Sequence, residues 1–273
     1  MPLPNLIVIG AAKCGTTSLH AYLDDHPEIA MSRTKELNFF MGEDLGRDLA
    51  WYASHFLDAP VRGETSPGYA LWPVVPGVPE RMSAAVPDAR LVYVVRDPIA
   101  RLVAHWVHSS RWGHDPSFAE AVRDRDSRYV AGSRYATQLE RYLAHFSADR
   151  ILVVDSHELR RERTAALHRI FRFVGVRETA TALAAPELNV GAGSIRRNRA
   201  GKLVAAGLAR TLGRERAGRL RAHVPEPLTR PLTHRLVPPR VEGDLRRRLE
   251  EILRPEVDRL RELTGLPFET WSL

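Results

Sequence analysis

Short runs of aliphatic and β-branched residues alternate along this chain with amphipathic stretches, and turn signals separate them. The clearest runs cover residues 6–9, 91–95 and 151–154, and apolar residues at helical spacing accompany each of them. Such alternation is typical of βαβ units, in which parallel strands are buried between layers of helices. We therefore expect an α/β protein with three layers and a central parallel sheet.

Turn and cap signals set the limits of the predicted elements. Asp97-Pro98 places a capping residue and a first-turn proline directly after the second clear run. Gly175 and Gly265 each follow an amphipathic stretch and are expected to end a helix. The predicted helices cover 16–23, 98–110, 161–174 and 244–263, with a further helix through 139–146 and a weaker strand at 61–64.

The composition excludes several classes of protein. Of 273 residues, 44% are hydrophobic and 27% are charged, while 18 glycines and 19 prolines are too few for a collagen-like or disordered chain. No apolar run approaches the roughly 20 residues that span a bilayer, so we expect no membrane span. Cys14 is the single cysteine and excludes an internal disulfide. Together with the lack of a recognisable leader, it predicts a cytoplasmic protein.

The positive charge is concentrated in one segment. The formal net charge is +7, but residues 194–221 hold nine Lys and Arg residues against Glu215, so the remainder is close to neutral. A local basic segment indicates an anionic partner at one surface. Compositional bias toward arginine is an equally good explanation for much of this excess.

Residues 10–19 read Gly-Ala-Ala-Lys-Cys-Gly-Thr-Thr-Ser-Leu and lie between a predicted strand and a predicted helix. Backbone N–H groups converge at such a helix N-terminus, where the helix dipole favours an anion, so the loop predicts a phosphate site. It is not a Walker A motif, because Lys13 lies three residues before Thr16. Arg96 occupies the strand end where a magnesium-binding aspartate is expected in a kinase, which favours a site without metal.

Four segments in this order resemble sulfotransferases that use 3′-phosphoadenosine 5′-phosphosulfate (PAPS), in particular the branch of bacterial and heparan-type glycan enzymes. The matching segments are Gly-x-x-Lys-x-Gly-Thr-Thr-Ser-Leu at 10–19, Lys-Glu-x-x-Phe-Phe at 35–40, Glu-x-Ser-Pro-x-Tyr at 64–69 and Arg-Asp-Pro-x-x-Arg at 96–101. The resemblance implies a P-loop-like fold with one domain over 1–273. Its nucleotide-binding core covers about 1–185 and a loop-rich C-terminal cap about 186–273.

The resemblance also implies roles for individual residues in sulfuryl transfer. Glu36 is expected to act as general base and Lys13 to stabilise the leaving group. Arg96 is expected to bind the 3′-phosphate of the donor. The residues expected to contact the donor are Lys13, Cys14, Gly15, Thr16, Thr17, Ser18, Arg96, Arg196 and Arg197. The implied acceptor is a hydroxyl, or an amine, of a small molecule, glycan or natural product, and neither a metal nor a nucleic acid is expected as partner.

Two positions depart from the family pattern. Ala104 stands where a serine usually helps to hold the 3′-phosphate, and Arg196, Arg197 or Arg199 is a candidate substitute. Thr65 replaces the lysine that often follows Glu64, which removes a positive charge near the transferred group. Glu64 itself is expected to accept hydrogen bonds from turn amides.

Two other functions remain open at the level of sequence. A P-loop nucleotide or small-molecule kinase would also need the loop at 10–19, although it requires Mg²⁺ and ATP. A nucleic-acid-binding module would use the segment at 194–221, although aromatic residues are absent from its arginine-rich part at 196–221.

Overall fold

The computed structural model describes residues 2–42, 46–110, 116–179, 195–197, 233–235 and 237–273, with backbone alone for 195–197 and 233–235. Five parallel strands form the central sheet, in the order β2-β3-β1-β4-β5. Their bounds are β1 Leu6–Gly10, β2 Ile29–Met31, β3 Val61–Thr65, β4 Arg90–Val95 and β5 Ile151–Asp155.

Helices connect and cover these strands. They are α1 Thr16–Asp24, α2 Leu49–Ala53, α3 Val78–Ala85, α4 Pro98–Ser110, α5 Phe118–Ala121, α6 Arg128–Ala131, α7 Tyr135–Leu143, α8 Ser156–Arg161, α9 Arg163–Val174 and α10 Gly243–Thr264. Residues 6–9 and 91–95 have no exposed surface, which requires cover on both faces of the sheet. The predicted three-layer α/β architecture is confirmed.

The order of the strands places a switch point beside β1. The chain runs from β1 outward to β2 and β3 on one side, and returns to the other side of β1 to form β4 and β5. In open parallel sheets, ligands bind at such a point, outside the carboxyl ends of the strands. The loop after β1 and Arg96 after β4 both lie at this edge.

Most predicted elements are present with ends shifted by a residue or two, including the weaker strand at 61–64. The helix predicted at 161–174 is present as α9, which begins two residues later, at Arg163. Glu162 takes a non-helical conformation (φ −125°, ψ 43°) and separates α8 from α9. The sequence analysis missed β2, which has three residues, and the helices α2, α3, α5, α6 and α8.

The predicted C-terminal cap falls mainly outside the described residues. Its described parts are a pair of antiparallel strands, β6 Ile195–Arg197 and β7 Thr233–Arg235, and the segment 237–273. α10 packs against α7 and buries Leu249, Leu253, Val257 and Leu260. Among the helices of the described residues, none combines the length and apolar character needed to cross a bilayer.

Candidate functional site

The loop after β1 forms a tight turn that leads directly into α1. Lys13 and Gly15 have left-handed backbones (φ 74° and 95°), and the Cys14 amide donates to the Ala11 carbonyl at 3.2 Å. α1 begins at Thr16 with no side-chain cap and no acidic residue in its first turn. The N–H groups of that turn have no helical carbonyl to which they can donate, so this helix start is suited to binding an anion.

The side chains of this loop divide into buried and accessible ones. Thr16 and Ser18 are buried, Lys13 and Thr17 are half-buried, and Gly15 is exposed. Cys14 is turned inward, with its Sγ 3.8 Å from the Tyr135 hydroxyl. Burial raises the pKa of the Cys14 thiol to about 11, so it stays protonated and packs as a small apolar group.

Arg101 is a buried residue that binds the backbone of the loop after β1. Its side chain has no exposed surface, and its guanidinium donates to the carbonyls of Ala12 at 3.0 Å and Tyr129 at 2.8 Å. It also donates to Ser133 Oγ at 3.1 Å and to His105 Nδ1 at 2.6 Å. Burial and the adjacent Arg101 charge lower the pKa of His105 to about 2, so the imidazole is neutral and accepts this bond. Arg101 thus ties the loop to α4 and α6.

Lys13 extends from the loop toward α4. Its Nζ lies 3.3 Å from Nδ1 of His108, an exposed residue in the last turn of that helix. Lys13 thus leaves the loop at the carboxyl end of β1, and its ammonium lies beside the last turn of α4, the helix that follows β4. Sequence reasoning did not predict the contact between Lys13 and His108; the position of His108 on the helix that Arg96 precedes was the available signal.

Arg96 follows the last residue of β4 and is half-buried. Its Nε is enclosed and has no hydrogen-bond partner among the described residues. A buried N–H without a partner is costly, so its position favours an anionic ligand at this strand end. Ala104 lies on α4 and carries no hydroxyl, as the sequence shows.

Glu36 lies on the loop between β2 and the Phe39–Met41 turn. Its backbone is left-handed (φ 65°) and its amide donates to the Thr65 carbonyl at 2.9 Å. The carboxylate is 52% exposed and pairs with Lys35 Nζ at 2.5 Å. The loop is thus fixed to the end of β3 while the Glu36 carboxylate remains accessible to a substrate.

Thr65, the position where the family often has lysine, is completely buried and lies 3.0 Å, through its Oγ1, from His20 Nδ1. Burial lowers the pKa of His20, and the nearby Lys35 charge lowers it further, whereas Asp24 acts in the opposite direction. A neutral imidazole therefore stands beside β3 where the family pattern suggests a cation.

Glu64 is fully enclosed at the end of β3. Neither carboxylate oxygen makes a hydrogen bond of ordinary geometry with a described residue, so the expectation that turn amides bind it is wrong. Burial raises the pKa of Glu64 to about 7, and the nearby Tyr69 and Tyr52 hydroxyls offset part of this rise. Glu64 lies between Gly63 and Thr65 in a short strand. Nothing in that sequence pattern indicated that the Glu64 carboxyl lies among aromatic rings.

An aromatic cluster supports the loop that carries Glu36. Phe39 stacks on Tyr52 at 4.3 Å between ring centroids, and the Phe40 amide donates to the Tyr69 hydroxyl oxygen at 3.3 Å. Tyr52 and Phe56 belong to the core, whereas Trp51 is half-buried and stacks near Phe39. Among the described rings of this cluster, Phe39 and Trp51 are half-buried and reach the protein surface.

Arg196 and Arg197 lie in β6, opposite His234 and Thr233 of β7. Their side chains, and Arg199 altogether, lie outside the described residues. The remaining predicted donor-binding residues, from Lys13 to Ser18 and Arg96, share one edge of the sheet.

The sequence profile described as "Sulfotransferase domain" matches residues 3–186 of this chain. The chain belongs to the sulfotransferase domain family. Residues of this sulfotransferase are 28% identical over 199 positions to bifunctional heparan sulfate N-deacetylase/N-sulfotransferase 2 of Bos taurus, a match that covers 64% of this chain and 22% of that protein. The match to protein 1 of the same name from Mus musculus is 29% over 201 positions, with the same coverage.

This sulfotransferase therefore spans about a fifth of the length of these curated relatives. A solved structure of similar fold is the sulfotransferase from Alicyclobacillus acidocaldarius, with a TM-score of 0.67, 24% identity and full coverage of both chains. In the described part of this sulfotransferase, no three His, Cys, Asp or Glu side chains are grouped as metal ligands. The expected absence of a metal stays a prediction.

Proposed function

We propose that this protein transfers the sulfuryl group of PAPS to a hydroxyl or amine. The observation that supports the proposal is that two features suited to binding anions follow neighbouring strands. The first turn of α1, which has no side-chain cap, follows β1, and the Nε of Arg96, which has no partner within the described part of the chain, follows β4. Neighbouring strands lie about 5 Å apart, so one small ligand with two anionic groups can reach both.

The first turn of α1 and Lys13 would bind the 5′-phosphosulfate, and Arg96 would bind the 3′-phosphate by charge-assisted hydrogen bonds. These residue types fit the donor because each offers N–H donors and none places a carboxylate on the phosphates. Cys14 would shape the loop from inside, since its thiol is buried and its amide is already bonded to Ala11. Arg196 and Arg197 remain candidates for closing over the nucleotide.

The transfer step needs a base and a stabilised leaving group. Glu36 would take the proton of the acceptor while the acceptor oxygen or nitrogen bonds to sulfur and the bond from sulfur to the bridging oxygen breaks. Lys13 would hold its ammonium against that bridging oxygen, where negative charge develops as adenosine 3′,5′-bisphosphate leaves. Donors preorganised in this way contribute about 10²- to 10³-fold in rate, and a positioned base about 10²- to 10⁴-fold.

The acceptor would be a sugar or another small molecule. The curated relatives are named for N-sulfation of heparan sulfate, and the exposed Glu36 carboxylate together with the half-buried Trp51 leaves an open approach. A glycan would meet such a surface by stacking on the ring and hydrogen bonding. A cytoplasmic location and a single domain over 1–273 remain parts of this proposal.

Calorimetric titration with adenosine 3′,5′-bisphosphate, AMP and ADP tests donor recognition. The bisphosphate should bind more tightly than AMP, and Arg96→Ala should remove most of this difference while Arg125→Ala, a change at an exposed site that lines a cavity with residues of α7 and α10, should not. Equal affinity for the bisphosphate and AMP in the unmodified protein would contradict the proposal. Tight ADP binding and ADP formation from ATP would support the kinase alternative instead.

The turnover rate of a Lys13 variant tests the role proposed for this residue in stabilising the leaving group. Lys13→Ala should lower kcat about 10²- to 10³-fold at saturating donor, because it removes an interaction made mainly as the leaving group departs. Lysine in the unmodified protein and alanine in the variant both have to adopt the left-handed backbone of position 13. The comparison therefore isolates the effect of the ammonium group. Unchanged kcat in the variant would exclude the assigned role. The measurement is release of bisphosphate from PAPS with a panel of hydroxyl and amine acceptors.

A further inference from the structure

The last residues of the chain fold back onto the edge of the sheet that holds the candidate site. In this tail segment, residues 266–273, Phe268, Trp271 and Leu273 are at most 8% exposed. The rings of Phe268 and Trp271 stack with centroids 4.2 Å apart. Arg261 of α10 donates to the carbonyls of Pro267 and Leu273, both at 3.0 Å, and so fixes the segment at two points.

Two aspartates at neighbouring strand ends bind the tail segment in the same way. Asp97 uses Oδ1 to accept from the Ala100 amide at the start of α4, and Oδ2 to accept from the Ser272 amide at 2.6 Å. Asp155 uses Oδ1 for the His157 amide at the start of α8, and Oδ2 for Trp271 Nε1 at 3.1 Å. Each carboxylate thus joins a helix N-terminus to the tail segment.

These contacts adjoin both anion-binding features. Asp97 directly follows Arg96, so the bonds that fix the Asp97 carboxylate also restrict the backbone that carries the guanidinium. The Trp271 ring lies 5.7 Å from the Tyr135 ring, and the Tyr135 hydroxyl contacts Cys14 in the loop after β1. Sequence reasoning gave the end of the chain no role, because the pairing of Ser272 with Asp97 spans 175 positions.

We propose that the tail segment is a positioning element for donor binding. By holding Asp97 from the side opposite α4, the Ser272 amide sets the direction in which Arg96 presents its buried Nε to the 3′-phosphate. The inference rests on the proposed function for the identity of the ligand. The contacts that define the positioning element are independent of it.

The test compares adenosine 3′,5′-bisphosphate with AMP in calorimetric titrations of the whole protein. Ser272→Pro removes the amide donor, and Asp97→Asn leaves one acceptor oxygen for two amide donors. Ser272→Ala keeps the amide and serves as the conservative variant. Ile170→Val, at a fully buried position in α9, supplies a small loss of stability away from the tail segment.

Loss of one hydrogen bond to a charged group predicts a rise of about tenfold in the Kd of the bisphosphate for Ser272→Pro and Asp97→Asn, with AMP affinity changed by less than about twofold. Ser272→Ala and Ile170→Val should keep the 3′-phosphate preference. Asp97→Asn removes a negative charge beside an anion site, which alone would strengthen binding. Weaker binding in that variant therefore reports geometry.

Hydrogen exchange of the amides in 98–104 and 268–273 gives a second readout without ligand. Faster exchange in both ranges for Ser272→Pro and Asp97→Asn supports the positioning role, and unchanged exchange overturns it. A retained preference for the bisphosphate in these two variants also overturns the inference and leaves the proposed function intact. If the unmodified protein itself shows no preference, the proposed function fails first, and the inferred role in donor binding fails with it.

Discussion

Glu64 carries an ionisable group into a completely enclosed position, which links stability to pH. Because burial raises the pKa of its carboxyl to about 7, the folded protein binds a proton that the unfolded chain has lost above about pH 4.5. The unfolding free energy should therefore fall by about 3 kcal/mol as pH rises from 4.5 to above 7. Glu64→Gln should remove this part of the pH dependence.

Urea unfolding at pH 5 and pH 8 measures this difference for the unmodified protein and for Glu64→Gln. Other groups titrate in the same pH range. The quantity to compare between the two proteins is therefore the slope of the unfolding free energy against pH. Equal slopes would show that the Glu64 carboxyl is ionised in the folded state at low pH. The neighbouring Tyr52 and Tyr69 hydroxyls would then be its hydrogen-bond partners.

Glu36 admits two interpretations that a pair of variants separates. If Glu36 is the general base, Glu36→Gln should lower kcat about 10²- to 10⁴-fold. If Glu36 only forms an exposed ion pair with Lys35, Glu36→Gln should change kcat little. Lys35→Gln breaks the same ion pair and keeps the carboxylate. A large loss in Glu36→Gln with a small loss in Lys35→Gln supports the base, and similar losses in both would contradict it.

At the level of single residues, sequence motifs predicted which side chains gather at the sheet edge, because those residues adjoin strand ends and helix starts. They did not predict the partners of Arg101 or Asp97. Arg101 reaches Ala12 across 89 positions and Tyr129 across 28, so only the packed fold brings these groups together. The same holds for Glu64, whose neighbours come from α2 and the Pro67–Tyr69 turn.

The strand-loop-helix unit at 6–24 depends on one backbone conformation. Gly15 has φ 95°, and an alanine there would strain the backbone by about 1–2 kcal/mol although space is available for its Cβ. Gly15→Ala should lower the unfolding free energy by that amount and weaken bisphosphate binding. Gly42→Ala is the matched control, since Gly42 is extended (φ −179°) and has equal space.

Urea unfolding and calorimetry on both glycine variants check this prediction. Equal stability of the two variants would show that the turn adapts to a side chain at residue 15. Loss of stability without weaker ligand binding would show that the first turn of α1 does not contact the ligand.

Element ends were predicted well where glycine or proline marks them, as at Gly175 and Pro98. The start of α9 was predicted two residues early because Arg161, Glu162 and Arg163 are all acceptable helix residues, and nothing local marks the break at Glu162. β2 was missed because three residues are too few to show a period. Its position at the sheet edge comes from pairing with β3.

For the whole molecule, the net charge of +7 leaves a polyanion as a competing partner. If the basic segment serves a small nucleotide and not a nucleic acid, a duplex of about 20 base pairs should fail to displace adenosine 3′,5′-bisphosphate at about 0.15 M salt. Any duplex binding at lower salt should weaken steeply as salt increases. Fluorescence competition over a salt series checks this, and displacement at about 0.15 M salt would contradict it.

All five strands of the sheet point the same way, so the opposite edge of the sheet is remote from the loop after β1 and from Arg96. The exposed Asp58 lies there, in the turn that enters β3. Cys14 is 1% exposed and shielded from reagents. A cysteine introduced by Asp58→Cys would thus offer a selective thiol for immobilisation on a sensor surface, with the candidate site turned toward solution.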